Sequence, residues 1–101
     1  MSMNLNLCGK REVTVKKTGK SSIQYKKIDL IQTPTEVTYK LMESENIFEA
    51  YKKYVLSLVD KNDTKKAQKD RISDLNEILN YTAAQMKELE EEGYTLEFYV
   101  M

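Results

Sequence analysis

The sequence contains no histidine and no tryptophan, and it has one cysteine, one proline and three glycines among 101 residues. Without an imidazole, no Ser-His or Cys-His pair can activate a nucleophile, and zinc has no histidine ligand. Cys8 alone can form neither an internal disulfide nor a structural zinc site. Catalysis would depend on carboxylates, tyrosine or lysine with strongly shifted pKa values, which a small interior rarely creates. We therefore predict that the protein is not an enzyme and binds no cofactor, metal or small-molecule substrate.

Long hydrophobic runs are also missing. The uninterrupted apolar stretches are only a few residues long, such as Val55-Leu56, whereas a helix that crosses a bilayer needs about 20 apolar residues. In the first eleven residues the positive charges follow a short apolar stretch, which is the reverse of the order in a signal peptide. An unpaired Cys8 is typical of reducing compartments. These features predict a cytoplasmic protein with no membrane association.

Arginine is scarce, and the charges balance overall. There are sixteen basic and sixteen acidic side chains, and all but two of the basic ones are lysine. Residues 1–30 carry seven basic against two acidic side chains, whereas residues 86–101 carry one against five. If the two ends of the chain lie side by side, these charges partly neutralise one another. If they lie apart, the protein has a basic and an acidic patch.

The sequence does contain enough apolar material for one domain. The chain is 41% hydrophobic and 32% charged, which is too apolar for a disordered tail. A domain of this size buries roughly 60–65% of the surface of its unfolded chain, so there is material for one modest core. We predict a single domain over residues 1–101.

Alternating apolar residues predict a hairpin near the start of the chain. Gly19 supplies a turn residue that tolerates positive φ. The second strand begins with apolar residues at odd positions and continues with them at even positions. Since strand side chains alternate strictly, we predict a β-bulge at Lys26 or Lys27 that keeps both halves on one buried face. The residues assigned to that face are Val13, Val15, Ile23, Tyr25, Ile28 and Leu30.

Further strands are predicted after the hairpin and at the end of the chain. Pro34 cannot donate to a ladder and ends the second strand. Residues 36–42 carry apolar side chains at alternate positions and predict a third strand, as do residues 94–101 for the last one. Leu5 and Leu7 predict a further short edge strand before the hairpin.

Between these strands the apolar pattern changes to a helical period. One helix is predicted from residue 47 to about residue 60, and another over residues 72–92, with Gly93 ending it. Residues 61–71 contain nothing apolar that is larger than alanine. This segment is interpreted as a polar connection, as the overhang of a helix or as a contact surface.

Together these elements predict an α+β fold with the order β-β-β-α-α-β. Strands grouped before and after a pair of helices favour two helices packed on one face of a mostly antiparallel four-stranded sheet. The other face of that sheet should be solvated.

Two groups of cations are candidate contacts for nucleic acid or another anion. Hairpin lysines could neutralise phosphates, but arginine, the usual reader of bases, is scarce, and lysines also keep a sheet edge from pairing with other chains. Cations at the start of the second helix oppose its dipole, which indicates either an anion site or a solvated overhang. The candidate residues are Lys16, Lys17, Lys20, Lys26, Lys27, Lys65, Lys66, Lys69 and Arg71.

An apolar stripe along the second helix is a candidate protein interface. Its spacing suits either packing on the protein's own sheet or a two-helix seam in a homodimer. The stripe consists of Ile72, Leu75, Leu79, Met86 and Leu89.

The missing catalytic side chains and the segregated charge predict a small non-catalytic protein-binding or regulatory module. Its partner would be another protein or a second copy of the chain. The alternative is a small nucleic-acid-binding protein that uses the hairpin and the start of the second helix. The lysine excess with abundant Asn, Ile and Tyr resembles the coding bias of AT-rich bacterial or phage genomes. The short, charge-polarised chain is similar in style to phage or mobile-element accessory proteins, including inhibitors of host defence, which implies the cytoplasm of a host cell.

Overall fold

Residues 4–101 are described by a computed structural model. Its strands are β1 (Leu5–Thr14), β2 (Ser21–Ile28) and β3 (Thr95–Val100), and they form an antiparallel sheet in the order β2-β1-β3. Its helices are α1 (Thr35–Met42), α2 (Ile47–Leu56) and α3 (Lys65–Glu91). The described part of the chain therefore has the order β-β-α-α-α-β, and the predicted four-stranded sheet with two helices is wrong.

The central strand, β1, begins with the two leucines that the sequence suggests as a small edge strand. Leu5 and Leu7 are 2% and 0% exposed and lie in the core. β1 pairs with β3 from Leu5 to Lys10 and with β2 from Leu7 to Thr14. One continuous strand therefore replaces the predicted front strand and the first strand of the hairpin.

The hairpin formed by β1 and β2 is paired without interruption, so the predicted β-bulge at Lys26 or Lys27 is wrong. Ile28 is buried on the face that packs against the helices, whereas Ile23 and Tyr25 lie on the opposite face and are 49% and 63% exposed. A bulge that keeps all apolar residues on one face is favoured where that face is buried. The outer half of this hairpin is exposed and gains nothing from such a bulge.

Helix α1 occupies the segment predicted as a third strand. The alternation over residues 36–42 also fits a short helix, in which Thr38 and Leu41 are buried. The Thr38 hydroxyl donates to the Pro34 carbonyl oxygen at 3.0 Å and is in hydrogen-bond contact with the Thr33 hydroxyl. These bonds satisfy two buried hydroxyl groups at the entry to the helix.

Polar side chains cap the two longer helices. Asn46 caps α2, and Thr64 caps α3 by accepting the N–H of Ala67 at 3.2 Å. Helix α3 therefore starts earlier than predicted, and most of the predicted polar connection, residues 61–71, forms its first turns. With 27 residues, α3 is about 40 Å long. Gly93 follows it with φ +91°, as expected for the residue that ends the helix.

All three helices pack on the face of the sheet that carries the leucines of β1. The core has two adjoining parts, one of Leu5, Leu41, Tyr51, Val55, Leu75 and Leu79 and one of Leu7, Ile28, Leu89 and Tyr94. Gly9 lies where the end of α3 approaches β1. A Cβ atom at Gly9 would be 3.3 Å from the side chains of both Leu89 and Tyr94. The absence of a side chain at Gly9 therefore allows the end of α3 to approach β1 closely.

The largest fully buried side chain is that of Tyr51, among the described residues. Its hydroxyl oxygen accepts the N–H of Ile31 at 2.9 Å. Burial raises the pKa of Tyr51 above the usual value of 10.0, although the Ile31 N–H opposes the shift. Above pH 10 the unfolded state therefore loses this proton before the folded state does. The stability linked to the neutral hydroxyl is fully present below pH 10 and is lost as the pH rises through the raised pKa.

Replacing Tyr51 with phenylalanine is expected to lower the free energy of unfolding by about 1 kcal/mol at pH 7, because the Ile31 N–H loses its acceptor. Above pH 10 the wild type should lose stability more steeply than the variant, so the difference should shrink. Urea unfolding of both proteins at pH 7 and above pH 10 checks this. A difference that stays constant with pH would contradict it.

Candidate functional site

The outer part of the β1–β2 hairpin projects from the domain as a two-stranded ribbon. β3 pairs with β1 only as far as Lys10, and every residue from 14 to 27 is exposed. At the tip, Gly19 has φ +66° and its N–H donates to the Val15 carbonyl oxygen at 2.9 Å. We call residues 10–27 the hairpin ribbon. Since two strands alone are marginally stable, its order depends on how its base is held.

The outer face of the hairpin ribbon carries an exposed apolar pair, Ile23 and Tyr25. In the register of the two strands, Tyr25 lies opposite Lys10 and Ile23 lies opposite Glu12. Lys27 is the next residue of β2 on the same face, about 7 Å further along. Tyr25 thus has one lysine across the ladder and another along its own strand, and it is next to the exposed aliphatic side chain of Ile23.

The hairpin lysines singled out from the sequence do not form one cluster. Three lie at the tip, namely Lys16, Lys17 and Lys20. Lys27 is on the outer face, and Lys26 is on the face towards the helices. Lys26 Nζ is 3.5 Å from Glu92 Oε2 and 5.6 Å from the centroid of the Tyr94 ring. This exposed ion pair is weak, but it places a carboxylate beside one of the five lysines.

Arg11 anchors the base of the hairpin ribbon. Its Nη1 donates to the Glu92 carbonyl oxygen at 2.8 Å, and its Nη2 donates to Gln24 Oε1 at 2.6 Å. The guanidinium carbon lies 4.5 Å from the centroid of the Tyr94 ring, while the Nε atom is buried without a hydrogen-bond partner. Glu92 caps the C-terminus of α3, so the cation also meets the negative end of the helix dipole.

The sequence does not reveal this role of Arg11, because its partner Glu92 is 81 positions away. A sequence signal is nevertheless present, because Arg11 is one of two arginines in a chain whose other cations are all lysine. Only arginine offers a planar fork that can donate two hydrogen bonds and stack on an aromatic ring. The structure combines the two interpretations of the segregated charge. At the base of the ribbon the basic start and the acidic end of the chain lie side by side and partly neutralise one another, whereas Lys16, Lys17 and Lys20 at the tip lie beyond the last pair of β1 with β3.

The second basic group lies far from the first. Lys65, Lys66, Lys69 and Arg71 are exposed on the first turns of α3. Helix α3 runs alongside β1, with Leu79 in the same part of the core as Leu5 and Leu89 in the same part as Leu7. Its first turn is therefore about 40 Å from Glu92, where the ribbon is anchored. The two basic groups lie towards opposite ends of a molecule 62 Å long and do not form one continuous surface.

The candidate interface along α3 lies mostly inside the domain. Leu75, Leu79 and Leu89 are 1%, 2% and 7% exposed, and Met86 packs against the second part of the core. Ile72 is the exception, with 42% of its surface exposed. The four inner residues are therefore covered by the protein's own sheet and helices.

A shallow, open depression on another face of α3 is exposed instead. It is lined by Asp74, Glu77, Ile78 and Tyr81, whose spacing of three, four and seven residues places them on one face. Ile78 and Tyr81 are 44% and 66% exposed. In the sequence, Ile78 flanks the predicted apolar stripe of this helix, so this second surface is not apparent. We call these four residues the α3 groove; they supply two carboxylates and no cation.

Two kinds of site were sought among the described residues, a metal centre and a membrane-spanning helix. Within residues 4–101, no three or more His, Cys, Asp or Glu side chains are grouped so that they could hold a metal ion. In the same range, no helix is both long and apolar enough to span a bilayer. In comparisons with known proteins, no family model, no curated protein and no solved structure matches this chain.

Proposed function

We propose that the protein is a non-catalytic protein-binding module that docks its hairpin ribbon on a macromolecular partner in the cytoplasm. The observation that carries this proposal is the exposure of Ile23 and Tyr25, 49% and 63%, on a ribbon that projects from the domain. An accessory protein of a phage or mobile element that inhibits host defence would be one instance of such a module. Cys8, a free thiol, suits a reducing compartment.

The chemistry of the ribbon supports a protein partner. Tyrosine beside an aliphatic side chain provides a large contact area that is well suited to the buried centre of an interface. Lysines at the tip and beside Tyr25 outnumber Glu12, the one carboxylate of this face, so the surroundings of that centre carry net positive charge. Such a rim favours a partner with an acidic surface, because complementary charge speeds association and excludes wrong partners. The partner should therefore offer an apolar recess bordered by carboxylates.

Substituting both exposed apolar residues, Ile23→Ser with Tyr25→Ser, is expected to reduce capture of the partner at least about tenfold, since truncated interface anchors cost on the order of 2 kcal/mol. The measurement is an affinity capture from extract of the native cell, quantified by mass spectrometry. Leu58→Ser is the matched control, because Leu58 is 40% exposed and lies away from the ribbon. If the doubly substituted protein retains the same partners as the control, the ribbon is not the binding surface.

Nucleic-acid binding is the second candidate, and the position of Tyr25 beside Lys10 and Lys27 favours it. An aromatic ring flanked by cations can stack on a base while the lysines contact phosphates. Each phosphate neutralised should add about 0.7 to the slope of log affinity against log salt for a single strand.

Fluorescence anisotropy with a labelled single strand and a duplex, from about 50 to about 200 mM salt, tests this second candidate. Replacing Lys16, Lys17 and Lys20 with alanine should reduce the salt slope by about 2 if the tip contacts phosphates. No binding near 50 mM salt would eliminate nucleic acid as the ligand. Tight binding with a steep slope that the triple substitution reduces would replace the protein-binding proposal.

A further inference from the structure

We infer that a second copy of this chain is one partner of the hairpin ribbon, which docks in the α3 groove of its neighbour. The inference rests on the proposed function, because the same exposed pair, Ile23 and Tyr25, makes the contact. The α3 groove has the features expected of a surface that binds the ribbon. It presents Ile78 and Tyr81 as an apolar surface with Asp74 and Glu77 beside them.

The two surfaces match in spacing and in charge. Ile23 and Tyr25 are two positions apart on one strand face, which separates them by about 7 Å. Ile78 and Tyr81 are three positions apart on a helix, which separates their Cβ atoms by about 5–6 Å. The apolar pairs can therefore face one another. The ribbon face carries two lysines, Lys10 and Lys27, and one carboxylate, Glu12, so its net charge is opposite to that of the groove.

The same charges disfavour contacts between like surfaces. Two ribbons would bring together faces on which Lys10 and Lys27 outnumber Glu12, and two grooves would bring Asp74 and Glu77 against their own copies. Like charges brought together at an interface repel, whereas opposite charges steer association. The contact we infer is therefore heterologous, joining two different surfaces.

Within one copy the ribbon cannot reach the groove. Arg11 holds the base of the ribbon at Glu92, and the ribbon continues past that end of α3. The nearest groove residue, Tyr81, lies eleven positions back along the helix, about 17 Å away. The contact must therefore form between copies, either reciprocally in a pair or repeated along a chain. Self-association would cover the ribbon, so an external partner would have to compete for it.

The test is the mass of the purified protein in solution, measured by light scattering or sedimentation over a range of concentrations. The wild type should rise from 11.8 kDa to at least twice that mass with concentration. Raising the salt from about 50 to about 500 mM should reverse the rise, because exposed charges are then screened. The substitutions Ile23→Ser with Tyr25→Ser, or Ile78→Ser with Tyr81→Ser, should each leave a single chain. Leu58→Ser should associate like the wild type.

Mixing the two doubly substituted proteins is the decisive step. The first retains an intact groove and the second an intact ribbon, so an equimolar mixture should form a species with one copy of each. If mixing restores nothing, the ribbon of one copy does not dock in the groove of another and the inference is overturned. A wild type that stays at 11.8 kDa at every concentration also overturns it. That result would leave the proposed function standing, because capture from cell extract depends on a different partner.

Discussion

Replacing Leu79 with alanine is expected to lower the free energy of unfolding by about 3 kcal/mol, within the range of about 2–5 kcal/mol for such changes in a core. Leu79 is 2% exposed and packs with Leu5, Tyr51 and Val55 of its own chain. The shortened side chain would leave a cavity. The surrounding residues belong to both the sheet and the helices and cannot move in to fill it. Urea unfolding monitored by circular dichroism gives the measurement.

The neighbouring residue provides the matched control. Ile78 is 44% exposed on the α3 groove, so Ile78→Ala should change stability by no more than about 0.5 kcal/mol at low protein concentration. The loss in Leu79→Ala should be the same at all protein concentrations, because the contacts are within one chain. If the loss of stability appears only at high protein concentration, the apolar stripe of α3 that contains Leu79 forms a homodimer seam instead.

Replacing Arg11 with alanine is expected to lower the free energy of unfolding by about 2 kcal/mol, since hydrogen bonds from a charged group contribute about 1.5–3 kcal/mol and a cation over an aromatic ring adds to them. The change removes the donor to the Glu92 carbonyl oxygen and uncovers the ring of Tyr94. The ribbon loses its attachment to the end of α3, so its amide protons should exchange faster with solvent. Denaturant unfolding and hydrogen exchange of residues 11–24 measure the two effects.

Two further substitutions isolate the contribution of the guanidinium group. Lys26→Ala removes the exposed ion pair with Glu92 and should cost less than about 1 kcal/mol. Arg11→Lys keeps the charge but cannot bridge Glu92 and Gln24, so its stability should fall between those of wild type and Arg11→Ala. Equal losses in Arg11→Ala and Lys26→Ala would show that Arg11 is an ordinary surface cation.

Local patterns predict correctly the elements that depend on only a few neighbouring residues. Gly19 and Gly93 have positive φ at the hairpin tip and after α3, where a residue without Cβ is needed. The last strand, Thr95–Val100, lies within the predicted residues 94–101. The later part of α3 follows its helical period from Ile72 onwards.

Local patterns predict α1 wrongly because eight residues hold too few repeats to separate two periods. Val37, Tyr39 and Leu41 alternate as in a strand, but Glu36 in the first turn and Lys40 in the last turn suit the dipole of a helix. The helix is selected when Thr38 and Leu41 are buried together against the rest of the core. Packing thus overrides a short alternation.

For the candidate contact residues too, the sequence shows which residues are present and only the fold decides which are exposed. The stripe along α3 is visible in the sequence, yet only the fold covers Leu75, Leu79 and Leu89 and leaves Ile78 and Tyr81 exposed. The basic groups are equally visible, yet only the fold separates them by the length of α3.

By itself, the sequence determines the absence of imidazole chemistry, the hairpin turn and the end of α3. These depend on residue types and on contacts between near neighbours. The tertiary structure alone decides that Leu5 and Leu7 lie in the central strand and that Ile23 and Tyr25 face solvent. Whether an apolar side chain is buried depends on the element packed over it, and that element comes from a distant part of the chain.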